Sequence, residues 1–183
     1  PLTIRTVATS AVREAGNQEY FVLRAKKESD LEIEVVSWEE EAELMAKGVL
    51  WKLPNIEKDI LVFDIGGGST EYILVRGRQI VSAVGTQLGT VRLTDQFISH
   101  HPINVNEYKA LETHLRKELK LAKNQLSDFS PEVLVGTAGT VTTLAAIDGN
   151  VCPYDPEKIH GTSLTFNRVE QILEDLKKKS LAE

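Results

Sequence analysis

Ile60-Leu61-Val62-Phe63-Asp64-Ile65-Gly66-Gly67-Gly68-Ser69-Thr70-Glu71 is the stretch on which the fold turns. Its first four residues are apolar without a break, the pattern of a strand buried on both faces. The strand ends at Asp64, and Ile65-Gly66-Gly67-Gly68 follows as a turn. Three glycines allow the backbone to pass very close to a ligand and open positive φ angles. Successive N–H groups in such a turn can converge on an anion. Ser69 and Thr70 add hydroxyl donors. Asp64, at the strand's end, stands where a carboxylate can hold a divalent metal or a water on one. Glu71 comes seven residues later and returns on the next strand if the turn is a hairpin. The segment is no Walker loop, because no lysine follows the glycines. It is no dinucleotide fingerprint, because the G-x-G-x-x-G spacing and a following helix are missing.

Working outward, residues 70–76 and 79–85 read as strands joined at Arg76-Gly77-Arg78, a hairpin. Upstream, residues 2–8 and 32–36 read as strands rich in β-branched residues. Thr9-Ser10 cap a helix through Arg13, and Asn17 starts another. Ser37 caps a helix opening with Glu39-Glu40-Glu41, acidic where the helix dipole favours it. Ala42, Met45 and Val49 share one face of that helix, and Pro54-Asn55 break the pattern. Downstream, a helix is expected over 88–98. The clearest helix spans 105–126, where Tyr108, Leu111, Leu115, Leu119, Ala122 and Leu126 recur at three- and four-residue steps. A short strand at 133–135 runs into Gly136-Thr137-Ala138-Gly139-Thr140, followed by a helix over 141–147. A polar helix spans 168–179. Strands alternating with helices give an α/β fold.

The 183 residues suffice for one domain, or one domain and part of another. The formal net charge of -6 argues against a broad nucleic-acid-binding face, which must be basic. It leaves room for a polyanionic substrate held by backbone N–H groups, a metal and a few local cations. No apolar run has the length of a membrane span, and no basic segment with an apolar core opens the chain, so the cytoplasm is the default location. The single cysteine, Cys152, makes no internal disulfide and is expected as a buried or half-buried thiol. The chain opens at Pro1 without a methionine and closes in a polar helix, and is read as a cut from a longer protein. His100-His101 read as a solvated loop and His160-Gly161 as a turn. Trp51 and Tyr72 read as core or interdomain packing, and Lys177-Lys178-Lys179 as a helix-end cluster suited to the dipole.

From the residues alone, the acidic run leaves open which of Glu39, Glu40 and Glu41 faces a cleft, and the 136–140 loop reads equally as a tight turn or an anion site. A resemblance narrows both. The segments Thr9-Ser10-Ala11-Val12-Arg13-Glu14-Ala15-Gly16-Asn17, EEEA at 39–42, DIGGGSTE at 64–71, GTAGT at 136–140, Tyr154-Asp155-Pro156 and His160-Gly161 occur in the order found in the exopolyphosphatase / guanosine pentaphosphate phosphohydrolase family. That family resembles the larger group of actin-like ATPases, sugar kinases and Hsp70 proteins. The resemblance implies a ribonuclease-H-like α/β fold with a mixed central sheet and flanking helices. It divides the chain into the end of a first such domain, 1–46, and a second domain, 47–183. It implies release of terminal phosphate from inorganic polyphosphate or guanosine pentaphosphate, with Mg²⁺. Glu41 resembles the residue that readies the attacking water, and Glu71 the second catalytic carboxylate. Asp64 resembles the group at metal and phosphate, with Glu71 as its companion metal ligand. Arg13 looks like a phosphate-binding arginine. Gly66, Gly67, Gly68, Ser69 and Thr70 resemble one phosphate loop, and Gly136, Thr137, Gly139 and Thr140 match a loop lying by the nucleotide in ATPase relatives.

The sequence departs from the family at Trp38, where a small residue or proline is usual, and at Glu43, where arginine is common. An Asp-x-Gly-Ser-Asn phosphate turn is not in this chain, so the piece by itself is expected to be inactive. The resemblance allows a homodimer and gives no reason to expect nucleic acid or a membrane as partner. Two rival readings share the glycine turns: an ATP-binding module of the actin or sugar-kinase type, and a non-catalytic polyphosphate or alarmone sensor. Glu41, Glu71 and the 9–17 segment favour the hydrolase.

Overall fold

The computed structural model describes residues 4–53, 57–126 and 130–182. The break expected at Pro54-Asn55 and the first residues of the 2–8 strand lie outside the described residues. The chain runs β1 (Thr6–Ala8), α1 (Ser10–Arg13), α2 (Gln18–Ser29), β2 (Ile33–Val35), α3 (Trp38–Lys52), β3 (Ile60–Ile65), β4 (Thr70–Arg76) and β5 (Gln79–Thr86). It continues through α4 (Thr90–Phe97), α5 (Val105–Gln125), β6 (Val133–Thr137), α6 (Ala138–Asp148), α7 (Pro156–Ile159) and α8 (Phe166–Leu176).

β1 pairs with β2 in parallel, and the larger sheet has the order β5-β4-β3-β6. β3, β4 and β5 form an antiparallel meander, while β6 lies parallel to β3 and is reached through α4 and α5. This is the mixed sheet of a ribonuclease-H-like α/β fold, as the sequence led us to expect. The β4–β5 turn places Gly77 at φ 53° and Arg78 at φ 65°. Two left-handed residues in succession match the twist of the flanking strands.

Alternation along β3 and β4 sends Ile60, Val62, Ile73 and Val75 to one face, where they meet Ala42, Ala46 and Leu50 of α3. The two alanines let the helix backbone lie close to the sheet. Each of the four β residues is essentially fully buried, which stabilises by about 1.5–3 kcal/mol per side chain. The opposite face carries Leu74 and Val84 against Ala122 and Leu126, with Leu61 and Tyr72 packed alongside. The Ser37 side chain accepts a hydrogen bond from the Glu40 N–H at 3.2 Å, so α3 starts with its acidic turn as the capping pattern predicts. α3 runs unbroken across the 46/47 division.

Several elements differ from expectation. Leu119 is exposed, because α5 meets the sheet through Ala122 and the following Leu126. α6 begins at Ala138, within the expected glycine loop, and α8 ends at Leu176, leaving the three lysines beyond its last turn. Trp51 is 78% exposed rather than packed, and Cys152 is exposed. Thr9 and Asn17 precede α1 and α2 without side-chain capping bonds. No described helix is long and apolar enough to cross a membrane.

Candidate functional site

Asp64 and Glu71 stand opposite each other on one rung of the β3–β4 ladder. They continue the face that carries Ile60, Val62, Ile73 and Val75, so both carboxyl groups lie on the side covered by α3. Glu41, in the first turn of α3, immediately precedes the buried Ala42. The sequence left the three glutamates undecided, and the structure separates them. Glu41 Oε2 accepts from Arg13 Nη1 at 3.0 Å, and the same nitrogen donates to the Val36 carbonyl at 2.9 Å. Glu40 instead accepts from Arg5 at 2.6 Å, and Glu39 lines a groove between α3 and β5. Trp38 lies over Gly85, the strand partner of Glu71, where an added Cβ would be 3.6 Å from its ring.

The charges couple. Burial pushes the Asp64 carboxyl above its ordinary value, and the Glu41 charge adds to this. Burial likewise raises Glu71, opposed by a hydrogen bond from Ser69 and by Arg13, and reinforced by Glu41 and Asp64. Three carboxylates thus share a partly desolvated cleft with one guanidinium. The surplus negative charge suits a bound cation. Among the described residues no group of three or more His, Cys, Asp or Glu could hold a metal unaided. Mg²⁺ ordinarily takes one or two carboxylates and completes its shell with water and substrate phosphate oxygens. Asp64 and Glu71 fit that donor set.

The glycine bend beside this rung is held from behind by α4. The Gly66 carbonyl accepts from Thr90 N–H at 2.9 Å, and the Gly67 carbonyl from Val91 and Arg92 N–H at 3.0 and 3.2 Å. The Gly68 carbonyl accepts from Arg92 Nε at 2.9 Å. In a trans peptide, C=O and N–H point in opposite directions. Three carbonyls turned toward α4 therefore turn the N–H groups of Gly67, Gly68 and Ser69 away from it. Among the described residues these three N–H groups donate to no protein acceptor. The result is a row of donors of the kind that binds anions.

The glycines are needed for closeness rather than for positive φ, which none of Gly66, Gly67 and Gly68 adopts. A Cβ on Gly68 would sit 2.9 Å from Ser10 Oγ, and one on Gly67 would sit 3.3 Å from Val91. Gly89, which the sequence reading passed over, matters more. A Cβ there would lie 2.3 Å from the Gly67 carbonyl oxygen, so α4 reaches the bend only because position 89 is bare.

Other expected phosphate contacts are engaged differently. The Thr70 hydroxyl is buried and donates to the Leu88 carbonyl at 2.7 Å, which removes it from the donor set. Gly136 is a packing glycine, since a Cβ would be 2.7 Å from Val141 and 2.8 Å from Phe63. The Thr140 hydroxyl donates to the Ile65 carbonyl at 3.1 Å. Thr137 pairs with Asp64 across β3–β6 and makes no side-chain cap to α6. Ala138 turns the chain at φ 67°, and nothing lies within 4 Å of a Cβ position on Gly139. The N-terminus of α6, with its unpaired N–H groups, is open beside Asp64.

The fold and its acidic, amide-lined cleft define an α/β protein of the ribonuclease-H-like class. Comparison with known proteins narrows this. Residues 1–182 match the Ppx/GppA phosphatase family, and the chain belongs to it. It is 35% identical over 172 residues to the bifunctional 3-dehydroquinate synthase/phosphatase of Fusobacterium nucleatum, covering 91% of this chain and 25% of that protein. It is 33% identical over 163 residues to exopolyphosphatase 2 of Mycobacterium tuberculosis, covering 86% of this chain and 50% of that protein. The crystal structure of the Ppx/GppA family member of Aquifex aeolicus superposes with a TM-score of 0.81 at 36% identity, over 96% of this chain and 56% of that one. The chain therefore spans about half or less of the length of these relatives.

Proposed function

We propose that the intact protein hydrolyses terminal phosphoanhydride bonds, releasing phosphate from inorganic polyphosphate, with guanosine pentaphosphate as an alternative substrate. One observation carries this: Glu41, Asp64 and Glu71 converge beside three outward-facing N–H groups. The exopolyphosphatase name of the Mycobacterium tuberculosis relative supports the substrate class.

In this reading the N–H groups of Gly67, Gly68 and Ser69 hold oxygens of the phosphate chain, and the open N-terminus of α6 at Gly139 holds others. Arg13 donates toward the transferred phosphoryl group while keeping Glu41 in place. Glu41 orients the attacking water and accepts its proton. Glu71, with its carboxyl raised by burial and steadied by Ser69, completes the acidic wall. Asp64 and Glu71 are the residues that would hold Mg²⁺, which when bound offsets the combined negative charge of carboxylates and substrate. Charge stabilisation and water positioning are what phosphoryl transfer demands of a protein. Residues 1–46 bring Arg13 and Glu41 to the cleft, and residues 47–183 bring the rest. We place this activity in the cytoplasm.

The test is phosphate release from long-chain polyphosphate and from guanosine pentaphosphate by the intact protein, with and without Mg²⁺. Glu41→Gln and Glu71→Gln should each lower turnover by at least about a hundredfold, the scale of general-base loss. Unchanged turnover in both variants rejects the assignment.

A further inference from the structure

Arg92 is the point where the glycine bend and α1 are tied together. Its Nε donates to the Gly68 carbonyl at 2.9 Å, and its Nη2 donates to Glu14 Oε2 at 2.6 Å. Glu14 in turn accepts from Ser10 Oγ at 3.1 Å through its other oxygen. Ser10 is buried, and its hydroxyl abuts the bare face of Gly68. The four residues close a ring: Gly68 to Arg92, Arg92 to Glu14, Glu14 to Ser10, and Ser10 back against Gly68.

The ring has a directional effect. The backbone of α4 fixes the Gly66 and Gly67 carbonyls, and so aims the Gly67 and Gly68 N–H groups. The Gly68 carbonyl is beyond reach of that backbone ladder and is held by the Arg92 side chain. The peptide plane 68–69 is set by this contact, and with it the aim of the Ser69 N–H. Arg92 is itself held by Glu14, whose carboxyl is kept below its usual range mainly by this pairing. We propose that Arg92 is a positioning residue: clamped by Glu14 of the α1 segment, it orients the Ser69 N–H and so completes the three-donor phosphate site only when α1 is docked on the bend.

This rests on the phosphate reading above, so the test separates the two. In the ligand-free intact protein, labelled with ¹⁵N glycine and serine, the Ser69 amide resonance should move in Glu14→Gln and in Arg92→Lys, while that of Gly67, fixed by α4, stays. The probe ligand is imidodiphosphate, a phosphate chain that resists hydrolysis. Its affinity, by calorimetry, should fall about tenfold in each single variant, the worth of one charge-assisted hydrogen bond. The double variant should be no weaker than Arg92→Lys alone, since Glu14 acts through Arg92.

The sign of the Glu14→Gln effect decides against the chief rival. Were Arg92 a direct phosphate ligand, releasing it from a competing carboxylate would tighten binding. Tighter or unchanged binding in Glu14→Gln therefore overturns the proposal, and so does an unmoved Ser69 resonance. Moved resonances in a protein that fails to bind the probe would count against the phosphate site and leave the tie itself standing. Glu14→Gln is close to isosteric, and Arg92→Lys keeps the charge while losing the two-pronged reach, so neither test hinges on a variant that cannot fold.

Discussion

Replacing Gly68 by alanine tests how the bend is built. The new Cβ would lie 2.9 Å from Ser10 Oγ and 4.0 Å from Arg92 Nη2. A carbon and a hydroxyl oxygen are that close only under repulsion. The hydroxyl has no easy retreat, because Ser10 is buried in the first turn of α1 and its oxygen is bonded to Glu14 at 3.1 Å. Overpacking of this size costs about 1–3 kcal/mol. The companion change, Ser10→Ala, removes the oxygen and leaves the Ser10 Cβ at 3.9 Å, an ordinary contact. It forfeits one half-buried hydrogen bond, about 0.5–1.5 kcal/mol. The four proteins of the cycle would be unfolded in urea as the intact protein. Alanine at 68 should cost at least about 1 kcal/mol less in the Ser10→Ala background than in the wild type. Equal costs in both backgrounds would show that α1 does not press on the bend, and the ring through Arg92 would lose its closing contact.

Four further outcomes are expected. Glu71→Gln should raise the melting temperature near pH 7. The buried carboxyl titrates above its unfolded value of 4.5, so the wild type has its full stability below that pH and loses part of it as pH rises through the folded-state value. Melts from pH 3 to 8 should show the gain of the variant vanishing at the acid end, and a constant gain at every pH would contradict the burial argument. Arg13→Met should cost about 1–3 kcal/mol by stranding Glu41 and the Val36 carbonyl, measured by urea unfolding, and phosphate release should fall with it. Gly136→Ala should destabilise by about 1–3 kcal/mol and be relieved only in part by Val141→Ala, because Phe63 stays 2.8 Å from the new Cβ, with imidodiphosphate affinity in the folded double variant equal to wild type. Ile73→Ala, at a fully buried position of the α3 face, should cost about 2–5 kcal/mol in the same unfolding assay.

The hairpin was readable in the sequence because its signals are local. An unbroken apolar run, a glycine cluster and a return strand of β-branched and aromatic residues each follow from neighbouring residues. From that alone Glu71 is expected on the strand that returns beside Asp64, and the structure adds the register that pairs the two. Choosing Glu41 over Glu39 and Glu40 needed either the resemblance or the structure, since all three occupy the first turn of α3 and only packing decides which points at the rung. Gly89, Glu14 and Arg92 escaped notice for a related reason. The contacts that give them their role, Gly89 with Gly67 and Gly68 and Arg92 with Gly68 and Glu14, span 21 to 78 positions. Thr70 and Gly136 were legible as turn residues, but whether a hydroxyl meets a ligand or a carbonyl, or a bare Cα meets a phosphate or a phenyl ring, depends on atoms brought in by other elements.

The single rung shared by Asp64 and Glu71 has a consequence for how this cleft can vary. Strand side chains alternate, so lengthening or shortening the bend by one residue slides β4 a step and delivers Glu71 to the α5 side, away from Glu41. The count of residues between the two carboxylates is then as binding as their identity. Substitutions can retune the cleft a little at a time, whereas a one-residue insertion would dismantle it at a stroke.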